Sequence, residues 1–74
     1  MATRGRGRAL ERVLLIRQKL EQRRWSLQEL AKEFGVHKRT IRRDLEILSI
    51  AGIPVRNTAD AAAGGRDGFW WIAR

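Results

Sequence analysis

The stretch Ser26–Gly35, SLQELAKEFG, constrains this chain more than any other, because it carries both a start and a stop for a helix of only two turns. Ser26 is a good N-cap, and Glu29, three residues on, completes a capping box in which each residue serves the other's backbone amide. Trp25 before the cap and Leu30 within the helix have the spacing of a hydrophobic staple. Leu27, Leu30, Ala31 and Phe34 fall at i, i+3, i+4 and i+7, one helical face. Gly35 ends the run, since glycine enters the left-handed region without a Cβ penalty. After the short turn Gly35–His37, the apolar series Ile41, Leu45 and Leu48 predicts another helix from about Lys38 to Ala51. Gly52 is its expected stop, and Pro54 forbids easy continuation. Small Ala31 lets the two helices approach, Gly35 makes the bend, and Ile41 fills the space between them. That is the pattern of a helix-turn-helix.

A further helix is expected before this pair, from Ala9 to about Arg24. Leu10, Val13, Leu14, Ile16 and Leu20 fall within about half a wheel at ~100° per residue, with Leu15 pointing away. Residues 1–8, MATRGRGR, show no apolar period and read as a flexible basic arm, leaving 9–74 as the folded domain. Past Pro54, the segments 53–56 and 68–72 are rich in β-branched and aromatic residues, and the small, polar stretch between them reads as a loop. Strand side chains alternate, so Phe69, Trp70, Trp71 and Ile72 cannot share one face. Either Phe69 with Trp71 or Trp70 with Ile72 packs on the helices. The expected fold is mostly α with a small β-hairpin (α+β): a winged helix-turn-helix of three helices and a two-stranded wing.

A chain of 74 residues forms one small domain, and 43 % hydrophobic content is ordinary for a globular fold. Sixteen Lys and Arg against eight Asp and Glu give a net charge of +8, which calls for a polyanionic partner. No apolar run approaches the ~20 residues needed to cross a bilayer. The N-terminus lacks the apolar segment of a signal peptide. There is no cysteine, so disulfides and thiolate metal sites are excluded, and a cytoplasmic location is compatible. With a single histidine, His37, and scattered acids, no metal site, cofactor site or catalytic grouping is expected.

The segment VHKRTIRRDLEIL raises the question of charge. Lys38, Arg39, Arg42 and Arg43 crowd one short helix, although like charges three or four apart destabilise an isolated helix. An external anion resolves the conflict. With Ile41, Leu45 and Leu48 facing inward, Arg39 and Arg43 lie near the centre of the opposite face, flanked by Thr40 and Arg42. A guanidinium fork matches guanine O6 and N7, so Arg39 and Arg43 are the expected base readers in a DNA major groove. Thr40 suits a thymine methyl or a phosphate. His37, Lys38 and Arg42 suit the backbone near the helix N-terminus, where the dipole favours anions. Ser26, opening the preceding helix, joins this DNA-facing set. Arg56, Asn57 and Arg66 of the wing, and Arg4, Arg6 and Arg8 of the arm, are candidates for backbone or minor groove. Asp44, the one acid within the cationic cluster, is expected either to pair with an arginine of its own or the first helix, or to stand exposed. An exposed tryptophan with Leu15, Ile47 or Ile50 would suit a dimer contact.

Over residues 9–73, the features LAKEFGV, RTIRRDLEIL, AGIPV and the terminal GFWWI resemble the N-terminal winged helix of bacterial DeoR-type regulators and, more closely, of WYL-domain transcription factors. The resemblance implies a bacterial transcriptional regulator whose RTIRRDL helix enters the major groove, carrying over to Arg39, Thr40, Arg42 and Arg43. The family's residue before that helix is usually Ser or Thr, acting as N-cap and phosphate contact; here it is His37. Family members usually continue into an effector-binding and dimerising domain. The chain is therefore expected to be the DNA-binding part of a longer regulator or a stand-alone repressor-like protein, with homodimerisation possible. Two rival expectations are a protein-interaction winged helix without DNA readout and an RNA-binding module.

Overall fold

The computed structural model describes residues 4–58 and 68–73, with side chains from Arg8 onward. Five elements run in the order α1 (Arg4–Gln22), α2 (Leu27–Phe34), α3 (Lys38–Ile50), β1 (Val55–Asn57) and β2 (Trp70–Ile72). The winged helix-turn-helix read from the sequence is therefore the fold.

The start and stop signals of α2 act as their chemistry requires. Ser26 Oγ accepts the Glu29 amide at 3.0 Å, and the Glu29 carboxylate accepts the Ser26 amide at 2.9 Å. At the other end Gly35 sits at φ 65°, its amide donating to Lys32 O while the Val36 amide reaches back to Ala31 O. The stop of α3 repeats this six-to-one closure: Gly52 lies at φ 90°, Gly52 N donates to Ser49 O and Ile53 N to Leu48 O. Two identical glycine-centred stops thus turn the chain sharply after α2 and after α3. Because Ile53 completes the second stop and Pro54 has no amide to give, β1 begins at Val55 rather than at the expected residue 53.

Strand β2 pairs antiparallel with β1 in the register Val55–Ile72, Arg56–Trp71 and Asn57–Trp70. Its alternation is resolved: Trp70 and Ile72 are buried, Phe69 is exposed and Trp71 half-buried. A pairing that sequence reasoning missed adds a third edge. Trp25 exchanges both backbone hydrogen bonds with Trp70, at 2.9 and 2.7 Å, so the α1–α2 connection borders the wing sheet. The N-cap Ser26 is extended at φ −83° and ψ 160°, so the chain enters α2 strand-like, and the free edge of β2 supplies the partner.

Between these elements lies one core: Val13, Ile16 and Leu20 of α1, Leu30 of α2, Ile41, Leu45 and Leu48 of α3, and Trp70 and Ile72. Two expectations for α1 are corrected. The helix starts at Arg4, not Ala9, running through Gly5 and Gly7 despite glycine's poor helix propensity, because extending a helix already nucleated needs no apolar period. Residues 4–8 are thus helical rather than an unstructured arm. Leu10 and Leu14, included in the core stripe, are 63 % and 54 % exposed. They lie about 120° and 160° around the helix from Ile16 at ~100° per residue, beyond the narrow arc that α2, α3 and β2 cover.

The caps make two measurements decisive. Ser26→Ala should cost ~1 kcal/mol in urea unfolding, and Gly35→Ala about 1 kcal/mol. Nothing lies within 4 Å of a Cβ placed at Gly35, so that second cost is conformational alone. The Ser26 amide holds the Glu29 carboxyl below the usual glutamate range. A group depressed in the folded state stabilises above its unfolded pKa and loses that contribution as pH falls through the folded one. Acid unfolding of Glu29→Gln should accordingly start from lower stability at neutral pH and fall less steeply below the glutamate range.

Candidate nucleic-acid interface

The outward side of α3 is presented by its inward side. Ile41, Leu45 and Leu48 bury one stripe, so Lys38, Arg39, Arg42 and Arg43 are all exposed, with Thr40 half-buried at the edge. His37 occupies the N-cap position in extended conformation but makes no side-chain cap. With no acid in the first turn, the positive end of the α3 dipole is left without a side-chain counter-charge. His37, Lys38, Arg39 and Thr40 line an open concavity of about 510 Å³ there.

An ion pair joins the apolar stripe in holding α3 in this rotation. Arg12 of α1 donates from Nε and Nη2 to the two carboxylate oxygens of Asp44, the second bond at 3.2 Å. The Asp44 side chain is only 4 % exposed and that of Arg12 20 %. The hydrogen bond to Asp44 raises the Arg12 pKa. Of the alternatives open from the sequence, the partner from the first helix is the one found. Arg12 itself could not be singled out beforehand, because α1 carries several arginines and only helix crossing selects among them.

The cations of the molecule divide into two populations. One, made up of Arg12, Lys19, Arg23 and Arg24, is engaged within the fold: Arg12 with Asp44, Lys19 with Glu33 at 3.3 Å and Arg23 with Glu29 at 3.6 Å. Arg23 also stacks 3.5 Å from the Trp25 ring centroid, and Arg24 4.1 Å from that of Trp71. Among the described residues, Lys38, Arg39 and Arg43 make no ion pair, hydrogen bond or ring contact. Four charges on one short helix, three of them without internal partners, form an electrostatically incomplete surface.

Beside it, Arg42, Glu46, Ser49, Asn57 and Trp70 are among the residues lining a groove of about 280 Å³ between α3 and the wing. Asn57 and Arg56 are exposed at the wing strand, as expected. Arg66 and the side chains of Arg4 and Arg6 lie outside the described residues; Arg8 is exposed on α1. Ser26 is drawn inward. It is 9 % exposed and its hydroxyl serves the capping box, which places a carboxylate, Glu29, at the same helix end. Leu15, Ile47 and Ile50 are exposed as anticipated, whereas Trp71 is half-covered by Arg24. Glu46, on the outward side of α3, went unnoticed in the sequence, although it sits seven residues after Arg39.

A helix-turn-helix with an outward cationic second helix and an adjoining two-stranded wing defines the winged helix-turn-helix class. Over residues 12–61 the chain matches a family model described as an HTH domain, and it belongs to that helix-turn-helix family. No curated protein and no solved structure matches it. Domains of this class are DNA-binding modules. No helix among the described residues is long and apolar enough to cross a membrane.

Arg12→Ala should destabilise the domain by about 2–3 kcal/mol, because it leaves the Asp44 carboxylate buried without a partner. The double variant Arg12→Met with Asp44→Leu should recover most of that loss in urea denaturation, because an apolar pair removes both charges together. A double variant no more stable than Arg12→Ala would show that the pair itself is irreplaceable.

Proposed function

We propose that this chain binds double-stranded DNA in a sequence-specific manner, as a WYL- or DeoR-type winged helix acting in bacterial transcriptional regulation. The observation that carries the reading is the outward surface of α3, whose Lys38, Arg39 and Arg43 crowd one exposed helix face with no internal partner, whereas Arg12, Lys19 and Arg23 are paired within the fold. A major groove admits an α-helix and offers guanine O6 and N7 to a guanidinium. Arg39 and Arg43 read bases, and Thr40 meets a thymine methyl or a phosphate. His37, Lys38 and Arg42 hold the backbone, aided by the uncapped N-terminus of α3. Arg56, Asn57 and Arg66 of the wing, with Arg4, Arg6 and Arg8 at the N-terminal end, add contacts to backbone or minor groove. Ser26 contributes by fixing the start of α2 and can offer only its hydroxyl proton to a phosphate. The function is recognition, with no catalytic step, metal or cofactor assigned, and its setting is the bacterial cytoplasm.

Binding measured by gel shift should fall steeply with salt, the log–log slope growing by about 0.9 for each phosphate neutralised. Arg39→Ala or Arg43→Ala should cost ~1–3 kcal/mol on the preferred duplex and relax selection at one base pair. Equal losses on preferred and random duplexes would make that residue a backbone contact. If the protein ignores random duplex even at low salt, the DNA reading falls and a protein-docking role replaces it. Stronger competition by structured RNA than by duplex DNA would transfer the function to RNA.

A further inference from the structure

The cationic cluster is only part of the outward row of α3. Arg39, Arg42, Arg43 and Glu46 stand at i, i+3, i+4 and i+7, the spacing with which a recognition helix presents side chains to base edges. At ~100° per residue, Glu46 lies about 20° from Arg39 around the axis, closer to the centre of the row than Arg42. It is exposed and borders the groove between α3 and the wing strand that carries Asn57. Among the described residues it makes no ion pair or hydrogen bond.

A carboxylate in that position constrains what can lie opposite it. Ionised glutamate is an acceptor only. It repels phosphate, and it also repels the guanine O6 and N7 and thymine O4 edges, which are acceptors themselves. The donors available in a major groove are the exocyclic amines, cytosine N4 and adenine N6. Cytosine is the better match, because adenine pairs its amine with the N7 acceptor and so favours a carboxamide, which both donates and accepts.

We infer that Glu46 is a specificity-determining residue that accepts a hydrogen bond from the N4 amine of a cytosine, about one helical turn beyond Arg43 and two beyond Arg39 along α3. This inference rests on the DNA reading and deepens it: the arginines supply affinity and guanine preference, and Glu46 excludes duplexes that lack the amine at its position. It also accounts for an acid in a row otherwise built to attract DNA.

The test is selection of bound duplexes from a random pool by the wild-type chain, Glu46→Gln and Glu46→Ala, with thermal melts to verify that the exposed substitutions leave the fold intact. The wild type should return cytosine at one position. Glu46→Gln should change that position to adenine, and Glu46→Ala should leave it unselective, with affinity for the wild-type site reduced roughly tenfold in both. Identical preferences for all three proteins, or tighter binding of Glu46→Ala to every duplex alike, would overturn the inference and make Glu46 a general repulsive charge. A wild type that binds no duplex, or binds without any selected site, would instead overturn the DNA reading beneath it.

Discussion

Asp44 is an acid on the buried side of a helix whose outward side is cationic, and Arg12 reaches across from α1 to hold both of its oxygens. A carboxylate almost without exposure is tolerable only with such a partner, and so the pair constrains how α3 may be rotated. Apolar packing alone sets rotation loosely, since neighbouring hydrophobic side chains substitute for one another at small cost. A two-pronged guanidinium–carboxylate contact is directional. The rotation it helps to hold points Arg39, Arg43 and Glu46 away from the protein.

The same division of labour runs through the other charges. On α1 and at its C-terminal end, Lys19, Arg23 and Arg24 lie on aromatic rings, and Lys19 and Arg23 also pair with acids of α2. These contacts tie the α1–α2 connection to the wing, where Trp25 and Trp70 also share backbone hydrogen bonds. These three cations serve the fold. On α3, Lys38, Arg39 and Arg43 are left without an internal partner, and the helix bears local repulsion that an isolated helix would relieve by fraying. Recognition surfaces commonly conflict with local stability in this way, and here the surrounding core holds the conflict in place.

Geometry between the helices depends on two glycines. Gly35 and Gly52 both adopt positive φ at helix ends and close the same pair of backbone bonds. The first brings α3 back against α2. The second sends the chain through Ile53 and Pro54 into the wing, which flanks the outward row of α3 and forms a groove with it. Spacing between the outward row of α3 and the wing is thus decided by a few residues at the helix ends.

Local signals determined the helix-turn-helix. The Ser26–Glu29 box, the glycine stops, the period of Ile41, Leu45 and Leu48, and the crowding of Lys38, Arg39, Arg42 and Arg43 all act between residues within a turn or two of each other. Such interactions are written in spacing, and so the elements and the outward cationic face could be read directly. Tertiary structure alone decided which of Leu10, Val13, Leu14 and Ile16 are covered, because the width of the buried arc depends on what packs against α1. It also decided which arginine meets Asp44, which face of β2 turns inward, and that Trp25 joins the sheet. Those outcomes depend on how elements cross in space, and no periodicity along one segment encodes a crossing.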